Sequence, residues 1–243
     1  MDVCVSLSRL LPSYIENPEC VVVVDVVRSG TTAATAIANG AVEVMLFRTV
    51  EQTLAEAGKR EKGTYVLGGE RGSDRIKGFD CGNSPFEYPA SVVGGKTLLM
   101  STSNGPAAFD KYRKAPHVLY AAWATAKATA ERVRRLAPSS VLIVCAGTLG
   151  LYSAEDAVCV GRLLKLLEPV NELDDGCHCA NMAFERWGTD DMFLEALPRM
   201  EGGRRLTTKG MERDFVPCTT SDAFDFALEY EAELNRFMPV RER

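Results

Sequence analysis

The sequence predicts an α/β protein, a sheet carrying helices on both faces. Three observations support this. Short apolar runs rich in β-branched residues recur along most of the chain, stretches with helical spacing separate them, and polar residues gather directly after several of the runs.

Taken in order, residues 3–5 read as an edge strand. Residues 21–24, 42–47, 65–67, 97–100, 118–120 and 141–144 are each strand-sized and made of Val, Ile, Leu, Phe or Tyr for the most part. Helices are expected over 31–39, 51–60, 104–112 and 123–137. The last is alanine-rich, carries Arg132, Arg134 and Arg135 near its end, where positive charge suits the helix dipole, and is stopped by Pro138. Beyond Leu151 the pattern turns mostly helical. Ser153 fits an N-cap ahead of Glu155 and Asp156, apolar positions 158, 160, 163, 164 and 167 follow at helical spacing, and Pro169 ends the run. Residues 190–200 and 221–237 read as closing helices. No internal repeat or low-complexity linker occurs, so one domain over residues 1–243 is expected. The long polar stretch from Glu70 to Tyr88 has few structural signals. A loop of that length in a compact protein is commonly functional, and Phe79, Phe86 and Tyr88 argue for its being ordered.

Composition narrows the classes. With 46% hydrophobic and 25% charged residues, the 243-residue chain can bury a sizeable core. A net charge of −5 gives no support for nucleic-acid binding, which normally shows as a basic patch. The start, MDVCVSLSRLLPSY, lacks a secretory pattern, and no apolar run is long enough to span a bilayer. A soluble, cytoplasmic protein is expected. The eight cysteines include no C-x-x-C pair. Cys177-His178-Cys179 has no second cluster to complete a tetrahedral zinc set, so reduced thiols are the plainer expectation. The apolar face of the C-terminal helices could serve the core or a symmetric partner, leaving a homo-oligomer possible.

The chemistry is expected at the carboxyl ends of strands, where open α/β sheets collect ligands. Four strands run into polar loops: Asp25, Arg28, Ser29, Thr31 and Thr32; Gly68 to Gly72 with Glu70 and Arg71; Ser101 to Gly105 with Thr102 and Asn104; and Cys145 to Thr148 with Gly147, followed by Glu155 and Asp156. Glycines admit a ligand close to the backbone, hydroxyls add donors, and carboxylates suit a hard cation such as Mg²⁺. Each loop has a plain structural explanation as well: Thr31 and Thr32 as helix caps, Glu70 and Arg71 as a solvated ion pair, Asn104-Gly105-Pro106 as a turn. Together they suggest a phosphorylated anionic ligand with a metal. Familiar phosphate motifs are absent. Gly95-Lys96-Thr97 lacks the earlier glycine of a P-loop, Val27 stands where a second aspartate would pair with Asp25, and Leu151 stands where a Cys145-based phosphatase would need arginine.

DVVRSGTTAATAIANGA, GGERGSDRIKGFDCGNSPFEY, STSNGPAA and CAGTLGLYSAEDAVCVG, in that order, resemble the signature segments of 2-phosphosulfolactate phosphatases, with a fainter echo over 210–218. The resemblance implies a three-layer α/β/α fold with a largely parallel or mixed sheet and a helical C-terminal part. It also implies an Mg²⁺-dependent phosphoric monoester hydrolase that releases phosphate from 2-phosphosulfolactate, a step towards coenzyme M. By motif, it points to Asp25, Arg28, Glu70, Glu155 and Asp156 as catalytic. Thr31, Thr32, Arg71, Asp80, Asn83, Ser84, Thr102, Asn104, Gly105, Gly147 and Thr148 are implied to bind substrate, and Asp25, Glu70 and Asp80 to hold metal. Arg71, Arg75 and Lys77 are expected to receive the substrate's carboxylate and sulfonate, and Glu155 or Asp156 to move a proton. A phosphocysteine at Cys145 is the competing route, disfavoured by its apolar approach. The chain departs from the family wording at Ser29-Gly30, Ser101, Ser103 and Pro106. It departs again at Arg204-Arg205, where Ser-His is usual. Alternatives are a phosphatase for another small 2-phospho acid, or a non-catalytic anion-binding protein on the same scaffold.

Overall fold

A computed structural model describes residues 1–8, 15–168 and 174–242. The strands are β1 (Asp2–Ser6), β2 (Cys20–Val24), β3 (Glu43–Phe47), β4 (Tyr65–Arg71), β5 (Asp74–Arg75), β6 (Thr97–Ser101), β7 (His117–Ala121), β8 (Ser140–Cys145), β9 (Ala227–Glu231) and β10 (Arg236–Val240). The helices are α1 (Ser29–Ala38), α2 (Val50–Ala57), α3 (Ala90–Val93), α4 (Gly105–Tyr112), α5 (Ala126–Leu136), α6 (Ala154–Leu167), α7 (Asp175–Trp187), α8 (Asp190–Ala196), α9 (Glu201–Thr208) and α10 (Phe215–Thr219).

The strands form one mixed sheet in the order β1-β8-β2-β7-β9-β10-β3-β6-β4-β5. β1, β8, β2 and β7 pair in parallel, as do β3, β6 and β4. Between these groups lies the antiparallel hairpin β9–β10. It meets β7 at Leu119 opposite Glu229 and β3 at Val44 opposite Phe237.

The unbroken valine run of β2 follows from burial on both faces. Val22 and Val24 join the core beneath α5, α6, α7 and α8, whereas Val21 and Val23 join the core beneath α1 and α4. β8 alternates likewise, Val141, Ile143 and Cys145 on the first side and Leu142 and Val144 on the second. Helices on both faces give the three-layer α/β/α architecture.

Some expectations need correction. Residues 221–237 contain helix-forming Glu, Ala and Leu, yet they build most of the β9–β10 hairpin. The turn places Asn235 at φ 51, and Phe237 packs its ring 5.0 Å from Phe109 and 5.3 Å from Tyr230. Strand pairing and aromatic packing outweigh a propensity worth only tenths of a kcal/mol per residue, roughly. Ser153 holds the N-cap position of α6, but its side chain makes no capping hydrogen bond. Pro169 lies outside the described residues, and α6 closes on Glu168 at φ 48. Helices α7 and α9 were not foreseen; Asp174 caps α7 by accepting from the Cys177 N–H at 2.7 Å.

Candidate active site

The turn after β2 is held from several sides. The Asp25 N–H donates to Ala121 O at 3.0 Å and the Val26 N–H to Asp156 Oδ1 at 2.9 Å. The Asp25 carboxylate accepts from the Ser29 N–H (3.2 Å) on Oδ1 and from the Tyr120 hydroxyl (3.1 Å) on Oδ2. Gly30 belongs here because a Cβ would overlap Asp25 O and come within 2.9 Å of Ala121 O. Burial pushes the Asp25 carboxyl up to about 6; the bonds from Tyr120 and Ser29 partly oppose this, and the nearby charges of Glu70 and Glu155 add to it.

Arg28 is threaded through a polar chain. Its Nη1 donates to Asp214 Oδ2 at 2.7 Å and its Nη2 to Ser73 O at 3.2 Å, while Ser84 Oγ donates to Asp214 Oδ1 at 2.6 Å. The Arg28 and Asp214 side chains are 4% and 0% exposed. The guanidinium is thereby fixed in place before any ligand arrives.

Glu70 stands at the end of β4, where the β4–β5 turn folds back on it. Its Oε2 accepts from the Ser73 N–H at 2.8 Å, and its Oε1 accepts from both the N–H (3.0 Å) and hydroxyl (2.9 Å) of Ser103 after β6. The neighbouring strands approach so closely at Gly69 (φ 146) that a Cβ would overlap Ser101 O. Thr102 Oγ1 donates to Ser29 Oγ at 3.2 Å, tying the β6 loop to α1. Asn104 Oδ1 accepts from the Leu149 N–H at 3.0 Å, tying it to the loop after β8.

These loops enclose one polar cleft. Of the residues expected from sequence, Asp25, Arg28, Glu70, Asn83, Thr102, Asn104 and Thr148 line it. Thr31, Thr32, Ser84, Gly105 and Gly147 lie around it in supporting positions. Thr31 Oγ1 donates to Val26 O and Thr32 Oγ1 to Asn83 O, both within α1 or its contacts. Ser84 holds Asp214. Gly105 opens α4 where a Cβ would overlap the Tyr120 hydroxyl and lie 2.7 Å from Asp25 Oδ2. Gly147, at φ 67, gives its N–H to Asp156 Oδ2 at 2.9 Å.

Asp156 is therefore a clamp, each oxygen occupied by a backbone N–H from a different loop. Burial and the charge of Asp25 push its carboxyl well above the ordinary range. Glu155 is also buried, behind Gly202. Its Oε1 accepts from the Gly202 N–H at 2.8 Å, its Oε2 meets no hydrogen-bond partner, and burial raises its pKa. Arg71 turns away from the cleft to Arg48 O, Ser101 O and Ser101 Oγ. Asp80 is exposed beside β4, where Oδ2 accepts from the Leu67 N–H at 2.8 Å, and it does not line the cleft. Arg75 and Lys77 are exposed and outside the lining too.

Asp214 and Ser73 are contributors that sequence reasoning missed, while Ser103 and Arg205 were named only as part of the Ser101–Gly105 loop and as a departure from the family wording. Asp214 falls inside the faint C-terminal echo, MERDF, and Ser73 and Ser103 are neighbours of residues already singled out. Cys145 is wholly buried and burial pushes its thiol well above the usual range. Along α7, Cys177 is buried and Cys179 exposed, so the two do not face one ion. No group of three or more His, Cys, Asp or Glu side chains placed to hold a metal occurs among the described residues. The carboxylates available to a cation in the cleft are Asp25 and Glu70. Among the described residues no helix is long and apolar enough to cross a membrane.

A layered α/β/α chain with a polar cleft at its strand ends is of the class of open α/β proteins that collect ligands there. The family described as 2-phosphosulpholactate phosphatase matches residues 6–233. A probable 2-phosphosulfolactate phosphatase of Gloeobacter violaceus is 38% identical over 206 residues, covering 85% of this chain and 86% of that protein. One from Thermotoga maritima is 36% identical over 84% and 85%, and one from Clostridium beijerinckii is 31% identical over 95% and 96%. The chain belongs to the 2-phosphosulfolactate phosphatase family, a family of phosphoric monoester hydrolases.

Proposed function

We propose that this protein hydrolyses 2-phosphosulfolactate to sulfolactate and phosphate, with Mg²⁺ as cofactor, as a step towards coenzyme M. The supporting observation is the meeting of a pre-fixed buried guanidinium, Arg28, with two cleft carboxylates, Asp25 and Glu70, in a member of this family. A guanidinium suits phosphate because its planar fork can engage two oxygens at once.

The fit to Mg²⁺ rests on donor chemistry. This cation takes oxygen ligands, keeps several waters and needs only one or two carboxylates beside substrate phosphate. Asp25 and Glu70 meet that description, and the charge of Glu70 already disfavours ionisation of Asp25, a repulsion that a cation would relieve. When bound, Mg²⁺ would supply charge neutralisation at phosphate oxygens. The chain's own residues do the rest. Arg28 orients the phosphate, Ser73 and Ser103 hold Glu70 in register, and Asp156 locks the two loops that carry Asp25 and Thr148. Burial raises the pKa of Glu155, and its unpartnered Oε2 makes it, of the two acidic neighbours, the one with an oxygen free to take a proton, since both oxygens of Asp156 are occupied by backbone N–H groups.

Phosphate release from 2-phosphosulfolactate, measured with Mg²⁺ and again after chelation, tests this. Release that depends on Mg²⁺ is expected. Tight binding without release would leave an anion-binding protein, and release unaffected by chelation would remove the metal.

A further inference from the structure

Helix α9 forms the wall of the cleft facing the strand ends. Gly202, Arg205 and Leu206 all line it, and their i, i+3, i+4 spacing puts them on one helix face. Two glycines allow the close approach. A Cβ at Gly202 would overlap Glu155 Oε1 and lie 3.1 Å from Val27 Cγ1, and one at Gly203 would overlap Leu197 O. One turn later the helix delivers Arg205 to the cleft. Arg204 faces elsewhere: it donates to Arg199 O at 2.9 Å and Glu201 Oε2 at 2.5 Å, and borders a neighbouring groove with Leu151 and Trp187.

Charge bookkeeping in the cleft gives Arg205 a task. Among the described residues, Arg28 and Arg205 are the cationic side chains of the lining. Arg28 is matched by buried Asp214 at 2.7 Å. Arg205 makes a 3.9 Å ion pair with Glu201, with side chains 37% and 41% exposed, and such a pair is weak enough to yield to a ligand. The basic residues expected to take the rest of the substrate, Arg71, Arg75 and Lys77, lie outside the lining.

We propose that Arg205 receives the second acidic group, carboxylate or sulfonate, on the carbon skeleton of the phosphate ester. It would thereby select esters that carry a further anion over simple ones. The assignment rests on the phosphatase reading for the identity of the ligand. Its test is an equilibrium one that needs no turnover.

Calorimetry with Mg²⁺ present would compare sulfolactate and inorganic phosphate as ligands of the full chain and of three variants. Arg205→Gln is expected to weaken sulfolactate about tenfold or more and phosphate less than about threefold. Arg205→Lys should fall between wild type and Gln, since it keeps the charge and loses the fork. Arg204→Gln, one residue away on another face, should alter neither. Equal weakening of both ligands by Arg205→Gln, no weakening of sulfolactate, or a wild type that fails to bind sulfolactate overturns the assignment. If wild type binds sulfolactate yet releases no phosphate from 2-phosphosulfolactate, the phosphatase reading fails, while the ratio of the two affinities still decides the role of Arg205.

Discussion

Asp214 accepts from the Arg28 guanidinium at 2.7 Å across 186 residues of sequence, and neither side chain meets solvent to any extent. Removing one member of such a pair strands the other. Asp214→Ala is expected to cost about 3–5 kcal/mol of stability, read as a lower urea midpoint. The milder Asp214→Asn should retain the bond to Ser84 and lose less. A midpoint within error of wild type for both would show that the Arg28 charge is balanced elsewhere.

The cleft carboxylate Asp25 should oppose stability at neutral pH in metal-free protein. Its pKa rises from 3.8 to about 6 on folding, so the folded chain holds the proton more tightly than the unfolded one. The stabilisation from that proton is complete below pH 3.8 and is lost as pH rises through about 6. Asp25→Asn in EDTA is therefore expected to be more stable than wild type at pH 8, by on the order of 1–3 kcal/mol, with the gap closing below pH 4, roughly. The same variant should lose about a hundredfold or more in kcat. A stability difference that does not vary with pH would contradict a raised pKa at this carboxyl.

Mg²⁺ binding should be visible without substrate. At about a hundred times its Kd, the cation is expected to stabilise wild type by about 2.7 kcal/mol. Asp25→Asn and Glu70→Gln should each respond much less in the same thermal scan. Equal responses from all three would move the cation to another place.

Cys145 offers a clean separation of chemical routes. Burial holds its thiol protonated and inaccessible, so Cys145→Ser should keep kcat within about threefold while costing about 1–2 kcal/mol from its packed position. Abolished turnover in a folded variant would restore a covalent intermediate.

How far the sequence could be read depended on whether the signal was local. β2 and β8 announce themselves because burial on both faces demands an unbroken apolar run, and the same logic located the polar strand ends carrying Asp25, Glu70, Thr102 and Thr148. Asp214 and Arg205 gave no such signal. Asp214, on a 3-10 turn, meets Arg28, and Arg205, on α9, lines the cleft, both through tertiary docking alone. Asp80, also named from its motif, lies outside the cleft lining, where its Oδ2 accepts from the Leu67 N–H. The segment from 221 to 237 misled because its residue types favour a helix in isolation, whereas β7 and β3 supply the hydrogen-bonding edges that turn it into strands.

The hairpin β9–β10 has an implication for assembly. It is last in chain order, yet it occupies the middle of the sheet, flanked by β7 and β3. Arg28 and Glu70 come from opposite sides of that seam, the first following β2 and the second ending β4. A nascent chain can stack each parallel group early, but the seam between them stays unstitched until its final strands arrive, and catalytic competence should appear abruptly at that moment.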